Sequence, residues 1–411
     1  MECIVEFLHD NYHSKLRNLC QIQSDKYEEA LVRYKDTFLS ELNLMKRCKK
    51  ACRRNDNKKI ENIHEFINMI NEEEVSNFFD EIINIYICWI DSRGDQALEN
   101  FITLLDKFHL LDFQVDISNE IFFRARQSKG ILTPWDMFHI PFNRRYLISN
   151  QRYSLTGQPL VYLGMSVLDV LSELNSNLNE FEEVKIATYV FKDSFMVYDL
   201  RNDFYKYIKH NLLTEIVEDF TDDFNMEFEQ FKNEFFKFIL SSICSFEKRK
   251  ELDSFTFCEE YVIPQLLAQI LKKKQFKGVI YSSTKLKEKE NDEKYNTKYK
   301  DNIAVFTNFN KEHVYDRELF NKLKISNPIS LNKSGSINVG DVKYICDKIK
   351  SIDIDKRKRK YYNTGLELEQ DFTKIKIQGK EYFEHDIGKL HLYLVYILLF
   401  EVRNKCLTGG E

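Results

Sequence analysis

Glycine and proline, the residues that most often interrupt helices, are scarce in this chain: it has 12 glycines and 5 prolines in 411 residues. Proteins average about 7% glycine and about 5% proline, so this chain has few positions that force a helix to end. Apolar residues make up 43% and charged residues 30% of the chain, which excludes a disordered or low-complexity composition. The sequence therefore predicts a helix-rich protein of two or three domains, with any sheet confined to part of it.

The pattern of apolar residues divides the chain into three regions. Residues 1–115 have apolar positions spaced by three and four, which predicts a helical accessory domain. Residues 116–310 alternate strand-like runs with helices and predict an α+β catalytic domain, with a helical insertion at about 201–255. Residues 311–411 predict a mostly helical C-terminal region with a candidate hairpin at 372–382.

Local signals place several short elements in the middle region. Ser166 is a candidate N-cap for a helix over 167–174, and Pro264 lies where the first turn of another helix is expected. A long amphipathic helix is predicted at about 213–246. Strands are predicted at 121–124, 160–163, 278–283 and 303–309, and a β-hairpin is predicted between 185–191 and 195–200.

Charge does not favour nucleic acid as a partner, since 60 basic and 65 acidic residues give a net charge of −5. Two basic clusters, at 46–54 and 356–360, are interpreted as solvated faces, with contact to an acidic partner or nucleic acid as the alternative. The 9 cysteines are scattered without a CxxC pair, which predicts reduced thiols in a cytoplasmic protein.

No membrane segment is predicted, and the first residues lack the pattern of a signal peptide. The longest apolar run, 390–402, has 13 residues, whereas a membrane-spanning helix needs about 20. This run predicts a buried core helix, and an assembly surface in a homo-oligomer is the alternative.

Common catalytic motifs are absent: the sequence has no HExxH, no GxSxG and no GxGxxG after a strand. Gly335 to Gly340 has the glycine spacing of a phosphate-binding loop, but Asp341 and Val342 replace its lysine and hydroxyl residue. Metal hydrolysis, P-loop phosphoryl transfer and serine hydrolysis are therefore poorly supported, and no metal is expected.

One ordered set of residues suits cleavage of a nicotinamide–ribose bond. Guanidinium groups bind pyrophosphate bidentately, an aromatic ring packs against nicotinamide or ribose, and a carboxylate stabilises positive charge that develops on the anomeric carbon. Such a reaction passes through an oxocarbenium-like state and needs no metal. Each residue by itself is more often structural, so the interpretation depends on the whole set in order: Phe123-Arg124, Arg152 ahead of Gly157-Gln158-Pro159, Tyr162, Glu173, and Gly278-Val279-Ile280-Tyr281-Ser282-Ser283.

This set resembles the RES domain, a family of bacterial NAD+-consuming proteins, many of which are toxins paired with an antitoxin. The resemblance covers about 120–310, with Ser282 where the family often has proline. It implies an ADP-ribosyltransferase-like α+β core that binds NAD+ as substrate. The implied catalytic residues are Arg152, Tyr162, Glu173 and Ser283. Arg124 is the implied substrate-binding residue, and the loop at 134–145 could add His139 and Arg145 to the cleft.

The function expected from the resemblance is that of an NAD+ glycohydrolase or phosphorylase acting as a toxin or anti-phage effector. Restraint by an antitoxin, another regulatory protein or oligomerisation is expected, because free NAD+ depletion would kill the host. One alternative is a mono-ADP-ribosyltransferase that modifies a protein target. Another is a helical nucleic-acid-binding or scaffold protein whose RES-like core is inactive.

Overall fold

The computed structural model describes residues 4–8, 26–47, 58–118, 120–174, 184–202, 226–248, 257–284, 301–330, 376–377 and 380–407. These residues belong to two compact units. Unit 1 draws on 1–114, 149–156 and 198–275, and unit 2 on 115–148, 157–197 and 276–411. Each unit collects segments that are distant in sequence, so the units do not follow the linear order of the three predicted domains.

The fold is a mixed α+β fold. The described α-helices are Ile4–Phe7 (α1), Tyr27–Arg47 (α2), Lys58–Met69 (α3), Glu72–Ile90 (α4), Gly94–Lys107 (α5), Val167–Glu173 (α6), Phe228–Ile243 (α7), Val262–Lys273 (α8), Arg317–Lys322 (α9) and Asp386–Leu407 (α10). The described strands are Gln114–Asp116 (β1), Phe122–Gln127 (β2), Leu160–Gly164 (β3), Val184–Phe191 (β4), Met196–Asp199 (β5), Gly278–Ser282 (β6), Asp301–Phe306 (β7), Leu323–Ile325 (β8), Ile329–Ser330 (β9), Lys376–Ile377 (β10) and Lys380–Glu381 (β11).

Unit 1 is helical, as its sequence pattern predicts. In α2 the buried positions follow the spacing of three and four, and they include Leu31, Tyr34, Phe38 and Leu42. Helix α7 is buried on most of its surface, and its phenylalanines pack with those of α2 and α4 in an aromatic core. Of the amphipathic helix predicted at about 213–246, residues 213–225 lie outside the described residues.

Unit 2 contains a sheet with the strand order β1-β5-β6-β7-β3-β2-β4-β8, and β9 pairs with β4. The strands predicted at 185–191 and 195–200 exist as β4 and β5, but they are not neighbours in this sheet, so the predicted hairpin is wrong. Strand β4 instead forms antiparallel ladders with β2 on one side and with β8 and β9 on the other.

Apolar side chains cover both faces of this sheet. One core joins Phe123 and Ile186 to α6 and to the buried leucines of α10, including Leu390 and Leu394. The other core joins Phe122, Tyr189 and their neighbours to the loop that contains Met137 and Phe138. Helix α10 contains the apolar run 390–402. Within the part of that run whose side chains are described, the buried residues belong to the first core, as the core-helix interpretation expects.

The C-terminal region contributes to the same sheet. Strands β8 and β9 pair with β4, although this part of the chain was predicted to be mostly helical. The candidate hairpin at 372–382 is confirmed in its described part, where β10 and β11 pair antiparallel. The basic cluster 356–360 and most of the cluster 46–54 lie outside the described residues. In the described ranges, every helix is too short or too polar to cross a bilayer.

Candidate functional site

Strands β2 and β3 are joined at a single position in the middle of the sheet. In the described ladders Phe123 lies opposite Gly164 and forms the one residue pair between these strands. Strand β2 has a continuous ladder of six pairs with β4, and β3 has five pairs with β7. In the described residues the ladder between β2 and β3 is therefore confined to this one pair. We call this position the β2–β3 seam.

Two of the predicted site residues border the β2–β3 seam. Arg124 directly follows Phe123, and Tyr162 lies two residues before Gly164 on the half-buried face of β3. In an antiparallel pair these two positions lie on the same side of the joining residues along the strands. Side chains alternate along a strand, so Arg124 shares the sheet face of Phe122 and Tyr162 shares the face of Phe123.

Arg124 is half-buried in β2, and its Nη1 atom is buried without a hydrogen-bond partner among the described residues. Burial lowers the pKa of Arg124, while the phenols of Tyr189 and Tyr162 act in the opposite direction and the charge of Arg126 lowers the pKa further. An arginine side chain keeps its charge in a protein, and a buried charge is costly without a counter-ion. This arrangement therefore suits an anionic ligand.

Glu173 and Ser283 are in contact, although they are far apart in the sequence. Glu173 is the last residue of α6, and its Oε1 accepts a hydrogen bond from Ser283 Oγ at 3.0 Å. Helix α6 begins as predicted, because Ser166 Oγ accepts a hydrogen bond from the backbone N–H of Asp169 at 3.0 Å. The N-cap fixes where α6 starts, and this start determines that Glu173 is the residue that reaches Ser283.

Asn302 is a third member of this group. Its Nδ2 donates to the same Oε1 of Glu173 at 3.0 Å, and its side chain is buried in the second position of β7. Two donors on one carboxylate oxygen hold the carboxylate in one orientation. The group of Glu173, Ser283 and Asn302 is therefore preorganised before any ligand binds.

Gly164 allows side chains to approach the strand closely next to this group. A Cβ at position 164 would lie 2.4 Å from Oδ2 of the buried Asp169 and 3.0 Å from Oδ1 of Asn302. A Cβ at such distances would force Asp169 and Asn302 to shift, so glycine is favoured here for steric reasons. The same glycine forms the joining pair with Phe123.

Arg152 belongs to unit 1, where its guanidinium group has partners. Its Nη1 donates to the carbonyl oxygens of Cys244 at 2.8 Å and of Phe246 at 2.9 Å. Its guanidinium carbon lies 4.9 Å from the centre of the Tyr261 ring, which adds a cation–π contact. These contacts satisfy carbonyls at the C-terminal end of α7, a structural role.

Gln265 fixes the segment that contains Arg152. Its Nε2 lies within hydrogen-bond distance of Asn150 Oδ1, of the Gln151 carbonyl oxygen at 2.8 Å and of the Ser154 carbonyl oxygen at 3.1 Å. Gln265 lies on α8, in which Pro264 occupies the first turn as predicted. Residues 149–156 are therefore held by a helix that is distant in the sequence.

His139 and Arg145 lie in unit 2 and make other contacts. The Nδ1–H of His139 donates to the Ile140 carbonyl oxygen at 2.7 Å, and Nε2 accepts the backbone N–H of Asp316 at 2.9 Å. Burial lowers the pKa of His139, which favours the neutral ring that these two bonds require. Arg145 is exposed and lies 5.7 Å from the centre of the Phe309 ring.

Sequence reasoning missed Asn302 and Asp169. Asn302 and Asp301 are polar residues at the start of an otherwise apolar strand, and buried polar residues in such a position often belong to a site. Asp169 could not be told apart from an ordinary helix residue in the sequence, because an acidic residue in the first turn of a helix is common. In the described residues no group of three or more His, Cys, Asp and Glu side chains is arranged to hold a metal ion.

Comparison with known proteins gives one similarity. No protein-family model matches the chain, and no solved structure matches it. A protein of Bacillus subtilis (strain 168) named "Putative toxin YopC" is 27% identical over 288 residues, which is 67% of this chain. The match spans 60% of that relative's own length. The chain is thus similar to a bacterial protein that carries the name of a toxin.

Proposed function

We propose that this chain is a toxin that cleaves the nicotinamide–ribose bond of NAD+. The observation that supports this most is the preorganised group of Glu173, Ser283 and Asn302. A preorganised carboxylate suits a developing cation, and a guanidinium group suits a pyrophosphate. The toxin role is supported by the name of the Bacillus relative.

The proposed reaction breaks the bond between the anomeric carbon of ribose and the nicotinamide nitrogen. Nicotinamide leaves with the bonding electron pair as a neutral molecule, and the anomeric carbon becomes oxocarbenium-like. The Glu173 carboxylate stabilises this positive charge. Water or inorganic phosphate then attacks the anomeric carbon and releases a proton. Attack by water gives ADP-ribose, and attack by phosphate gives ADP-ribose 1″-phosphate.

Each remaining residue has a role in this proposal. Arg124 binds the pyrophosphate of NAD+, and its Nη1, which has no hydrogen-bond partner among the described residues, is available as a donor to that anion. Tyr162 packs against the nicotinamide riboside at the β2–β3 seam. Ser283 holds Glu173 by the hydrogen bond at 3.0 Å. Arg152, His139 and Arg145 remain predicted site residues, and each of them makes the contacts described above.

Incubation of the purified chain with NAD+, with and without phosphate, tests the proposal when the small-molecule products are identified by mass spectrometry. We expect nicotinamide together with ADP-ribose, or with its phosphorylated form when phosphate is present. Label from NAD+ on protein would instead indicate an ADP-ribosyltransferase. An unchanged concentration of NAD+ would contradict the proposed enzymatic activity. The remaining interpretation would then be a helical nucleic-acid-binding or scaffold protein with an inactive core.

Substitution of the carboxylate links the activity to the site. Glu173→Gln is expected to abolish NAD+ consumption while the melting temperature stays close to that of the unsubstituted chain. Glu318→Gln is the matched control, since Glu318 is an exposed residue of α9 in the same unit. Equal NAD+ turnover in Glu173→Gln and Glu318→Gln would show that the Glu173 carboxylate is not needed for the reaction.

A further inference from the structure

Asn302 occupies a central position in the sheet that a polar side chain rarely occupies without a function. It lies opposite Gly164 of β3 and opposite Tyr281 of β6, so strands flank it on both sides. Its side chain is 5% exposed. A buried amide costs free energy unless it is hydrogen-bonded, and replacement by an apolar residue of similar size would avoid that cost.

The orientation of the Asn302 amide follows from its two neighbours. Nδ2 faces Oε1 of Glu173 at 3.0 Å, and Oδ1 lies toward Gly164, 3.0 Å from the site of a Cβ there. The opposite orientation would direct the amide oxygen at the carboxylate, and two acceptors would then repel each other. The amide is therefore a fixed donor toward Glu173.

Ser283 and Asn302 differ as donors to this oxygen. A hydroxyl group rotates and can donate or accept, so Ser283 can exchange Glu173 for a ligand. The amide group of Asn302 cannot reverse its role without turning over against Gly164. Asn302 is thus the donor that keeps Glu173 in place when Ser283 changes its partner.

We propose that Asn302 is a positioning residue that orients the Glu173 carboxylate for the reaction, an inference that rests on the proposed NAD+ cleavage. Asn302 acts through Glu173 and has no contact with the reacting atoms. Loss of its N–H group is expected to slow the chemical step more than it weakens substrate binding, because a small displacement of a catalytic group is costly.

Two substitutions of Asn302 test this inference. Asn302→Leu removes the donor at similar volume, and Asn302→Asp keeps the shape but places an acceptor opposite Glu173. Both are expected to lower kcat for NAD+ by about 10- to 100-fold and to change KM by less than about threefold. Ser326→Ala is the control, since Ser326 is a buried polar residue of the same unit whose Oγ donates to the Asn327 carbonyl oxygen, and kcat should stay within about twofold of the original value. Retention of kcat in both Asn302 variants would overturn the inference.

A thermal measurement separates this inference from the proposed function. Melting temperatures of Asn302→Leu, Glu173→Ala and the double variant are expected to be non-additive, because each substitution removes the hydrogen bond that the two residues share. Additive shifts would overturn the inference whether or not NAD+ is consumed. Absence of NAD+ turnover in the unsubstituted chain would instead overturn the proposed function, and the thermal cycle would still report on the contact.

Discussion

Gly164 and Asn302 lie opposite each other in the ladder between β3 and β7, and the missing side chain of Gly164 makes room for the amide oxygen of Asn302. The same space accommodates the carboxylate of Asp169. The residue that joins β2 to β3 is thus also the residue that allows the Glu173 group to assemble. Packing of the sheet and geometry of the site depend on one glycine.

Gly164→Ala is therefore expected to impair both stability and activity. A Cβ would overlap Asp169 and crowd Asn302, so the free energy of unfolding should fall by about 1–3 kcal/mol. NAD+ turnover of the folded protein should fall as well, because Asn302 and Glu173 move apart. Urea denaturation and a turnover assay measure the two effects.

Gly130→Ala is the control for this glycine. A Cβ at position 130 would meet only Ser128 Oγ, at 3.8 Å, so neither stability nor turnover should change. Equal behaviour of the two alanine variants would contradict the steric role of Gly164.

Arg152→Lys should destabilise the protein. Lysine cannot reproduce the planar group that bonds the carbonyls of Cys244 and Phe246 and faces the Tyr261 ring. We expect the free energy of unfolding to fall by about 1–3 kcal/mol, measured by urea denaturation. Unchanged stability together with a raised KM for NAD+ would instead support the predicted catalytic role of Arg152.

His391 should make the protein sensitive to acid. Its side chain is buried, its Nδ1 lies 2.9 Å from the hydroxyl of Tyr382, and burial lowers its pKa from 6.5 to about 3. Below pH 6.5 the unfolded chain binds a proton at this residue, whereas the folded chain does not until about pH 3. Stability is therefore present above pH 6.5 and is lost as the pH falls, by up to about 1.4 kcal/mol per pH unit.

Denaturation of His391→Gln between pH 4 and pH 7 checks this dependence. The variant should lose less stability with falling pH than the unsubstituted chain, because glutamine does not titrate. Parallel stability curves for the two proteins would show that His391 is not the source of the acid sensitivity.

Gly388→Ala should destabilise α10, although alanine usually favours a helix over glycine by about 1 kcal/mol. A Cβ at position 388 would lie 1.9 Å from the carbonyl oxygen of Tyr382, and that backbone atom cannot move without distorting the turn before α10. The expected loss is about 1–3 kcal/mol in the free energy of unfolding.

Gly94→Ala is the comparison for Gly388. Gly94 is also a helical glycine, and a Cβ there would meet the Trp89 ring at an ordinary distance of 3.4 Å. Alanine at this position should therefore be neutral or slightly stabilising. A similar loss in both variants would contradict the steric argument for position 388.

Local signals in the sequence predicted local structure well. The hydroxyl of Ser166 caps α6 and Pro264 lies in the first turn of α8, because both signals act within one turn of helix. The strands at 160–163 and 278–283 were also predicted within one residue of their observed ends. Each of these elements is specified by residues that are adjacent in the chain.

Signals that depend on distant segments were missed. A short polar link between β4 and β5 is typical of a hairpin, yet each strand pairs with segments far away in the sequence. Resemblance to a family grouped Glu173 with Ser283, but the hydrogen bond to Asn302 could not be foreseen from the spacing of 129 residues. The contacts of Arg152 with the end of α7 likewise depend on tertiary packing.

The β2–β3 seam gives the sheet an interior edge. Beyond Phe123 the backbone groups of β2 that point toward β3 have no described ladder partner there, although the strand lies between two others. On this side of β2 the main-chain groups beyond Phe123 are therefore not held by a neighbouring strand, and their hydrogen bonds must be supplied by other groups.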